Sequence, residues 1–216
     1  MRVAILMHGH MRTFRETQAA LERNLKGATQ IDYYVHTWDT IDRLSPSWYK
    51  THGASAARIS KAAVNAVYHP KALVIGTQTI THPDVTCVGN KICREGHLCY
   101  FESFYRANEL RLRARAKPYD LVIKCRPDVL LTTPLDLAAL DRDRIHVFGN
   151  PARAGATLAH YDLANIQHFQ AVNVLTIANE ANMTQIANMF KCIERYVDSP
   201  THRHTDYMDY IDDLGL

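Results

Sequence analysis

Short apolar segments alternate with longer amphipathic ones along the chain. We predict a strand where a run of apolar or β-branched residues ends at polar or turn-forming residues. We predict a helix where apolar residues recur every three to four positions among charged ones. The predicted strands are Arg2 to Met7, Ile31 to Trp38, Ala72 to Ile75, Tyr119 to Val129, Arg144 to Phe148 and Val172 to Ile177, and the predicted helices are Phe14 to Leu25, Ala56 to Val67, Glu102 to Ala116 and Asn182 to Val197. This alternation indicates an α/β fold with a mostly parallel, Rossmann-like sheet flanked by helices.

Composition narrows the class of protein. The 216 residues suit a single domain, with 47% hydrophobic and 22% charged residues, as in soluble globular proteins. The formal net charge of +3 gives no strong signal for a polyanion partner. No apolar run approaches the roughly 20 residues of a membrane helix. Five cysteines without a secretion signal predict reduced thiols and a cytoplasmic location.

Polar side chains cluster where three of the predicted strands end. Because parallel strands end at the same edge of a sheet, these clusters should meet along one rim, where open α/β sheets bind ligands. The clusters are His8-Gly9-His10 with Arg12, then His36-Thr37-Trp38-Asp39, then Lys124-Cys125-Arg126-Pro127-Asp128.

The third cluster interrupts an apolar segment, YDLVIKCRPDVLL. Lys124, Arg126 and Asp128 share one strand parity, so they would point the same way along an extended backbone. Pro127 removes a backbone donor and favours extended geometry at the residue before it. The pattern therefore predicts that the strand leaves the core here and enters a cleft.

These residue types suit a diphosphate. The guanidinium of Arg126 offers a planar fork for phosphate oxygens, and Asp128 could hold Mg²⁺ or Mn²⁺ that bridges the phosphates. Gly9 would allow a nucleotide close to the backbone. The alternative is a structural salt bridge between Arg126 and Asp128 at a turn.

Three segments, ILMHGHMRTFRET, DYYVHTWD and YDLVIKCRPDVLL, resemble a group of bacterial and phage glycosyltransferases, many of them from capsule and lipopolysaccharide loci. The similarity spans roughly Met1 to Gly149. It implies a GT-A-like sheet that binds a nucleotide sugar, with residues 1–150 on the nucleotide side and 151–216 as an acceptor-side and C-terminal helical part. Lys124 stands where the group usually has Arg, and Arg126 replaces the first Asp of the usual Asp-x-Asp element.

The resemblance also implies residue roles. Arg126 and Asp128 would take the Asp-x-Asp place, with Asp128 as the metal ligand. The donor would be a nucleotide sugar such as a UDP-sugar, with Mn²⁺ or Mg²⁺ as the metal. Residues near the nucleotide or on the donor side would be Gly9, Arg12, Phe14, Thr37, Trp38 and Asp39. The residue pattern itself adds His8 and Lys124 as candidates at the strand ends, with Lys124 beside Arg126 stabilising the departing diphosphate.

The predicted activity is transfer of a sugar to an acceptor hydroxyl by a hexosyltransferase-like enzyme. Asp39, Asp162 and Glu102 are candidates for the base that deprotonates the acceptor. The acceptor is either a surface saccharide, in polysaccharide biosynthesis, or a hydroxymethylated base, in phage DNA modification. A different class of protein remains open: a sugar- or nucleotide-binding module without turnover.

Two further patterns have competing interpretations. Cys87, Cys93, His97 and Cys99 are either zinc ligands or free thiols, and their spacing fits zinc sites poorly. The helix FYRANELRLRARAKPY is either a solvated face or a basic patch for phosphates of nucleic acid or an anionic polysaccharide.

The acidic, Tyr-rich stretch His202 to Asp213 is predicted to be a loosely held tail.

Overall fold

A central six-stranded sheet organises the chain in a computed structural model, which describes residues 1–42, 57–79, 91–148, 175–197, 210–211 and 213–215. The strands are β1 (Arg2–His8), β2 (Leu25–Lys26), β3 (Gln30–Trp38), β4 (Ala72–Gly76), β5 (Leu121–Cys125), β6 (Leu135–Asp136), β7 (His146–Phe148) and β8 (Leu175–Ala178). The helices are α1 (Phe14–Asn24), α2 (Lys61–Tyr68), α3 (Lys91–Ala114), α4 (Glu180–Ala187) and α5 (Glu194–Val197).

The strand order in the central sheet is β4-β3-β1-β5-β8-β7. Strands β4, β3, β1 and β5 are parallel, and β8 is antiparallel to both of its neighbours, β5 and β7. A separate parallel pair is formed by β2 and β6. The predicted α/β class with a mostly parallel sheet flanked by helices is therefore confirmed.

Both faces of the sheet are covered, because alternate residues of each strand enter different cores. Val3, Ile5 and Met7 of β1 pack into a core that also contains residues of α1 and α2. Ala4 and Leu6 pack into the opposite core, with residues of α3 and α4. The apolar segment of β1 is thus a strand buried on two sides.

The connections reverse direction between β1 and β5. From β1 the chain continues to β3 and then β4 on one side, and it returns through α3 to β5 on the other side of β1. This reversal is a topological switch point, where a crevice forms outside the carboxyl ends of the strands. The central position predicted for the strand YDLVIKC is confirmed, and its carboxyl end borders that crevice.

Several of the predicted element boundaries are wrong. The helix predicted from Glu102 begins at Lys91, and the helix predicted over Asn182 to Val197 is divided by a 3-10 segment, Asn188–Cys192.

Two other differences have local reasons. The strand predicted to reach Val129 ends at Cys125, because the chain turns and the Val129 N–H donates to the Arg126 carbonyl at 3.3 Å. The helix predicted from Ala56 begins at Lys61, where the Ser60 hydroxyl caps it by accepting from a backbone N–H.

The end of the chain is partly fixed to the core. Tyr210 and Ile211 are buried among residues of α3 and α4, and the Tyr210 hydroxyl donates to the Gln185 carbonyl at 2.8 Å. The prediction of a loosely held tail is therefore wrong at these two positions. Among the helices that the structure describes, none is both long and apolar enough to cross a membrane.

The arginines of α3 do not form one surface. Arg111 is fully buried, where it donates to Asn108, Glu180 and Thr184. Arg113, two residues later, is 76% exposed and pairs only loosely with Glu109 at 3.4 Å. Both interpretations of this helix placed all its arginines at the surface, and for Arg111 that is wrong.

Candidate functional site

Five of the predicted site residues are partly exposed at the carboxyl edge of the sheet. They follow β1, β3 or β5 directly or within a few residues, so the order of the strands brings them to one rim. These residues are Gly9, Arg12, Asp39, Arg126 and Asp128.

An ion-pair cluster occupies the switch point between β1 and β5. Arg126 donates from Nε to Asp128 Oδ1 at 2.8 Å, and a second guanidinium nitrogen donates to Oδ2, so the pair is bidentate. Arg12 Nη1 lies 3.5 Å from Asp128 Oδ2, and Arg12 Nε donates to Asp42 Oδ1 at 2.6 Å. Two guanidinium groups and two carboxylates therefore meet here.

Asp128 is ionised in this environment. Burial by itself would raise the pKa of this carboxyl, but the charge and hydrogen bonds of Arg126, followed by the charge of Arg12, outweigh burial and hold the pKa below its usual value. A permanent carboxylate of this kind fixes the orientation of the Arg126 guanidinium.

Gly9 makes the first turn after β1. Its φ of +96° lies in the region that favours glycine. The Gly9 N–H donates to Ser103 Oγ at 2.9 Å, and Thr37 Oγ1 donates to the Gly9 carbonyl at 2.8 Å. A Cβ built on Gly9 would meet no described atom within 4 Å, so space remains beside this backbone.

The other five predicted site residues are buried: His8, Phe14, Thr37, Trp38 and Lys124. Phe14 packs in the core, with its ring 6.1 Å from that of Tyr68, and Trp38 contacts the His36 ring edge-on at 5.0 Å. These side chains pack inside the protein next to the strand ends. Their predicted contact with a nucleotide stays a prediction.

Lys124 lies beneath α3. Its Nζ is 4.9 Å from the centre of the Tyr100 ring and 5.2 Å from that of Phe104. Burial, with a smaller contribution from the charge of Arg126, lowers the pKa of Lys124 well below its usual value. The predicted alignment of Lys124 with Arg126 and Asp128 required an extended chain through all three, and the turn after β5 prevents it.

His8 shares this aromatic environment. Its ring lies 4.7 Å from that of Tyr100 and 5.5 Å from that of Phe104, and neither ring nitrogen has a hydrogen-bond partner of normal geometry among the described residues. Burial, followed by the charges of Lys124 and Arg126, lowers the pKa of His8 well below its usual value, and a weak backbone contact with Tyr100 opposes this. The imidazole is therefore neutral.

The three candidate bases differ in their surroundings. Asp39 is partly exposed at the end of β3 and pairs with Arg58. Glu102 is buried on α3 and pairs with Arg106 at 2.5 Å. Asp162 lies outside the described residues. Of the two that are described, only Asp39 lies where an acceptor could approach from solvent.

The described residues do not form a cluster of metal ligands at the predicted metal site. Within the described part of the chain, no group of three or more His, Cys, Asp or Glu side chains is placed to hold a metal ion. Both oxygens of Asp128 already face guanidinium groups, so this carboxylate fits the role of orienting Arg126 better than that of a metal ligand. Of the four candidate zinc ligands, only the Cys99 side chain is described, and it is buried.

Ser103 is a site residue that the sequence analysis missed. It lies on α3, fully buried, and contacts both Gly9 and His36. A weak signal existed, because Ser103, Ala107 and Arg111 recur at a spacing of four and thus share one face of the helix.

No protein-family model matches this chain, and no curated protein matches it either.

Proposed function

We propose that this protein is a glycosyltransferase that moves a sugar from a nucleotide-activated donor to an acceptor hydroxyl. The observation that carries the proposal is the meeting of Gly9, Arg12, Arg126 and Asp128 at the switch point between β1 and β5. Crevices at such points are where open α/β sheets bind nucleotides. The resemblance of the segments around these residues to glycosyltransferases agrees with this placement.

The charges suit a departing diphosphate. Arg126 uses two of its five N–H donors on Asp128, which leaves its guanidinium held in one orientation at the rim. Arg12 adds a second guanidinium in the same cluster. Preorganised cations of this kind stabilise the negative charge that develops as the diphosphate leaves.

The proposed reaction follows from this arrangement. The acceptor oxygen attacks the anomeric carbon of the sugar, and the bond from that carbon to the diphosphate oxygen breaks. The diphosphate takes the bonding electrons and is stabilised by Arg12 and Arg126. Asp39 is the proposed base for the acceptor proton, because it is the partly exposed candidate at this rim.

A saccharide acceptor is favoured over a DNA base. The argument for DNA rested mainly on the basic segment at the end of α3 and just after it, and four of its cations face carboxylates: Arg106 pairs with Glu102, Arg113 with Glu109, and Arg111 and Arg115 with Glu180. Arg111 is also fully buried, so the segment does not present the continuous row of exposed cations that tracking a phosphate backbone requires. The non-catalytic binding module is the alternative that experiment must separate from an enzyme.

Donor binding tests the proposal first. The purified protein is heated with a panel of nucleotide sugars and nucleoside diphosphates, each with and without Mn²⁺. A ligand at about 100 times its Kd stabilises the native state by about 2.7 kcal/mol, which corresponds to a rise in Tm of roughly 5–10 °C for a chain of this size. We expect at least one nucleotide sugar to produce such a rise.

The same panel separates the alternatives. A shift that requires Mn²⁺ would support a metal at Asp128, and an equal shift without Mn²⁺ would support stabilisation by the arginines alone. Release of nucleoside diphosphate from the bound sugar nucleotide, with the sugar passing to water or to an added acceptor saccharide, would identify an enzyme. Binding without release, both with and without an acceptor, would identify a module. If no nucleotide or nucleotide sugar shifts the Tm at millimolar concentration, the proposed function is wrong.

A further inference from the structure

Ser103 joins α3 to the carboxyl edge through three hydrogen bonds. Its Oγ accepts from the Gly9 N–H at 2.9 Å, lies 2.9 Å from Nδ1 of His36, and lies 3.1 Å from the backbone carbonyl of His36. The side chain is fully buried. One hydroxyl on a covering helix thus contacts the turn that follows β1 and the neighbouring strand β3 near its end.

The three hydrogen bonds can form together in only one set of directions. A backbone N–H only donates and a carbonyl only accepts, so Ser103 accepts from Gly9 and gives its single proton to the His36 carbonyl. Its remaining lone pair must then accept from His36, which places a proton on Nδ1 of that ring. His36 is therefore the Nδ1–H tautomer, with an unprotonated Nε2.

The rest of the His36 environment agrees with this tautomer. Nε2 is buried and has no hydrogen-bond partner among the described residues, as suits a nitrogen without a proton. Burial, and to a smaller degree the charge of Arg106, lowers the pKa of His36 to about 3. The ring is thus neutral at physiological pH.

Gly9 is held from both sides by this arrangement. Ser103 fixes the N–H of its peptide group and Thr37 fixes its carbonyl, in a conformation with positive φ that a free chain would leave readily. The open space beside Gly9 lies at the switch point where the donor diphosphate is proposed to bind. A backbone that keeps this shape lets a ligand approach closely without a conformational cost.

We propose that Ser103 is a positioning residue: it holds the Gly9 turn and the Nδ1–H tautomer of His36 in the form that receives the donor diphosphate. Its role toward the diphosphate rests on the proposed function, whereas its hold on Gly9 and His36 does not. Ser103 acts through the Gly9 backbone and does not itself touch the ligand.

The experiment has a spectroscopic arm that needs no ligand. Nitrogen-15 NMR of the His36 ring should show a protonated Nδ1 and an unprotonated Nε2 in the unaltered protein. In Ser103→Ala the exchange of the Gly9 amide proton with solvent should accelerate at least tenfold. Thr184→Ala, which removes another hydroxyl with a hydrogen-bonding role, should leave the exchange of Gly9 unchanged.

The second arm measures binding of UDP and GDP. Ser103→Ala should weaken the binding of whichever probe the unaltered protein binds by about tenfold, Ser103→Thr should restore most of it, and Thr184→Ala should change it less than twofold. A proton on Nε2 in place of Nδ1, or unchanged Gly9 exchange in Ser103→Ala, would overturn the inference. So would an unchanged affinity in that variant. If the unaltered protein binds neither probe, the proposed function loses its support, and the spectroscopic arm alone decides for or against Ser103.

Discussion

Replacing Arg111 by alanine is expected to lower the free energy of unfolding by about 3 kcal/mol. The side chain is completely buried, and its guanidinium donates to Asn108, Glu180 and Thr184 at 2.7–3.1 Å. Removing it takes away one of the two cations that pair with the Glu180 carboxylate, which is only 17% exposed. It also removes a polar contact between α3 and α4, so packing is lost together with charge.

Arg113 provides the matched control for this substitution. It lies on the same helix and pairs with Glu109, but it is 76% exposed. Exposed pairs contribute little, so Arg113→Ala should change the free energy of unfolding by less than about 0.5 kcal/mol. Urea unfolding of the two variants measures the difference. Equal and small changes in the free energy of unfolding would show that Arg111 does not stabilise the packing of α3 against α4.

Acidification should destabilise the protein well before its carboxylates titrate. His8 and His36 are both buried and neutral, and burial is the main cause that lowers the pKa of each, that of His36 to about 3. In the unfolded chain both histidines titrate near pH 6.5. Between these values the unfolded state binds protons that the folded state does not bind.

The sign of the effect follows from this difference. Because unfolding takes up protons below about pH 6.5, the free energy of unfolding falls as the pH falls, by up to about 1.4 kcal/mol per pH unit for each histidine. The lowered pKa of Asp128 contributes in the same direction, but only near and below its unfolded value of about 3.9. Lys124, whose pKa is also lowered by burial, contributes in the same direction from a higher pH, so the histidines add a further decrease that begins near pH 6.5.

His8→Leu tests this account of the pH dependence. Leucine has a similar volume, and His8 makes no hydrogen bond of normal geometry with the described residues, so little is lost at neutral pH. Urea unfolding at several pH values should show a slope reduced by up to about 1.4 kcal/mol per pH unit. His146→Gln, at a less buried position near the start of β7, is the control. A slope that His8→Leu leaves unchanged would mean that this ring is protonated in the folded protein.

The sequence pattern was sufficient to predict the parallel strands and the polar residues that follow them. Continuous apolar runs identify strands buried on both faces, and a parallel sheet then gathers Gly9, Arg12, Asp39 and Asp128 at one edge whatever the details of packing. The antiparallel direction of β8 could not be read in the same way. Strand direction depends on the path of the preceding chain and not on the composition of the strand.

The sequence pattern also did not predict which polar side chains are buried. Lys124 and Arg111 are charged residue types that rarely lie inside a protein unless they have partners. Their partners come from distant parts of the chain: two rings of α3 for Lys124, and Glu180 of α4 for Arg111. Ser103 acts through Gly9, a residue 94 positions away. Such pairings depend on tertiary packing, which a single sequence does not display.

The most direct test of the proposed donor site is the rate at which nucleoside diphosphate is released from the stabilising nucleotide sugar, measured for Asp128→Asn. Loss of the charge that orients Arg126 should lower this rate at least about 100-fold. The pair is partly exposed and asparagine has the same shape, so the Tm should change by no more than roughly 4 °C. Asp141→Asn, which alters an exposed pair with Arg144, should leave both the rate and the Tm unchanged. An unchanged rate in Asp128→Asn, together with a Tm lowered by more than this, would show that Arg126 and Asp128 form a structural salt bridge and would contradict the account.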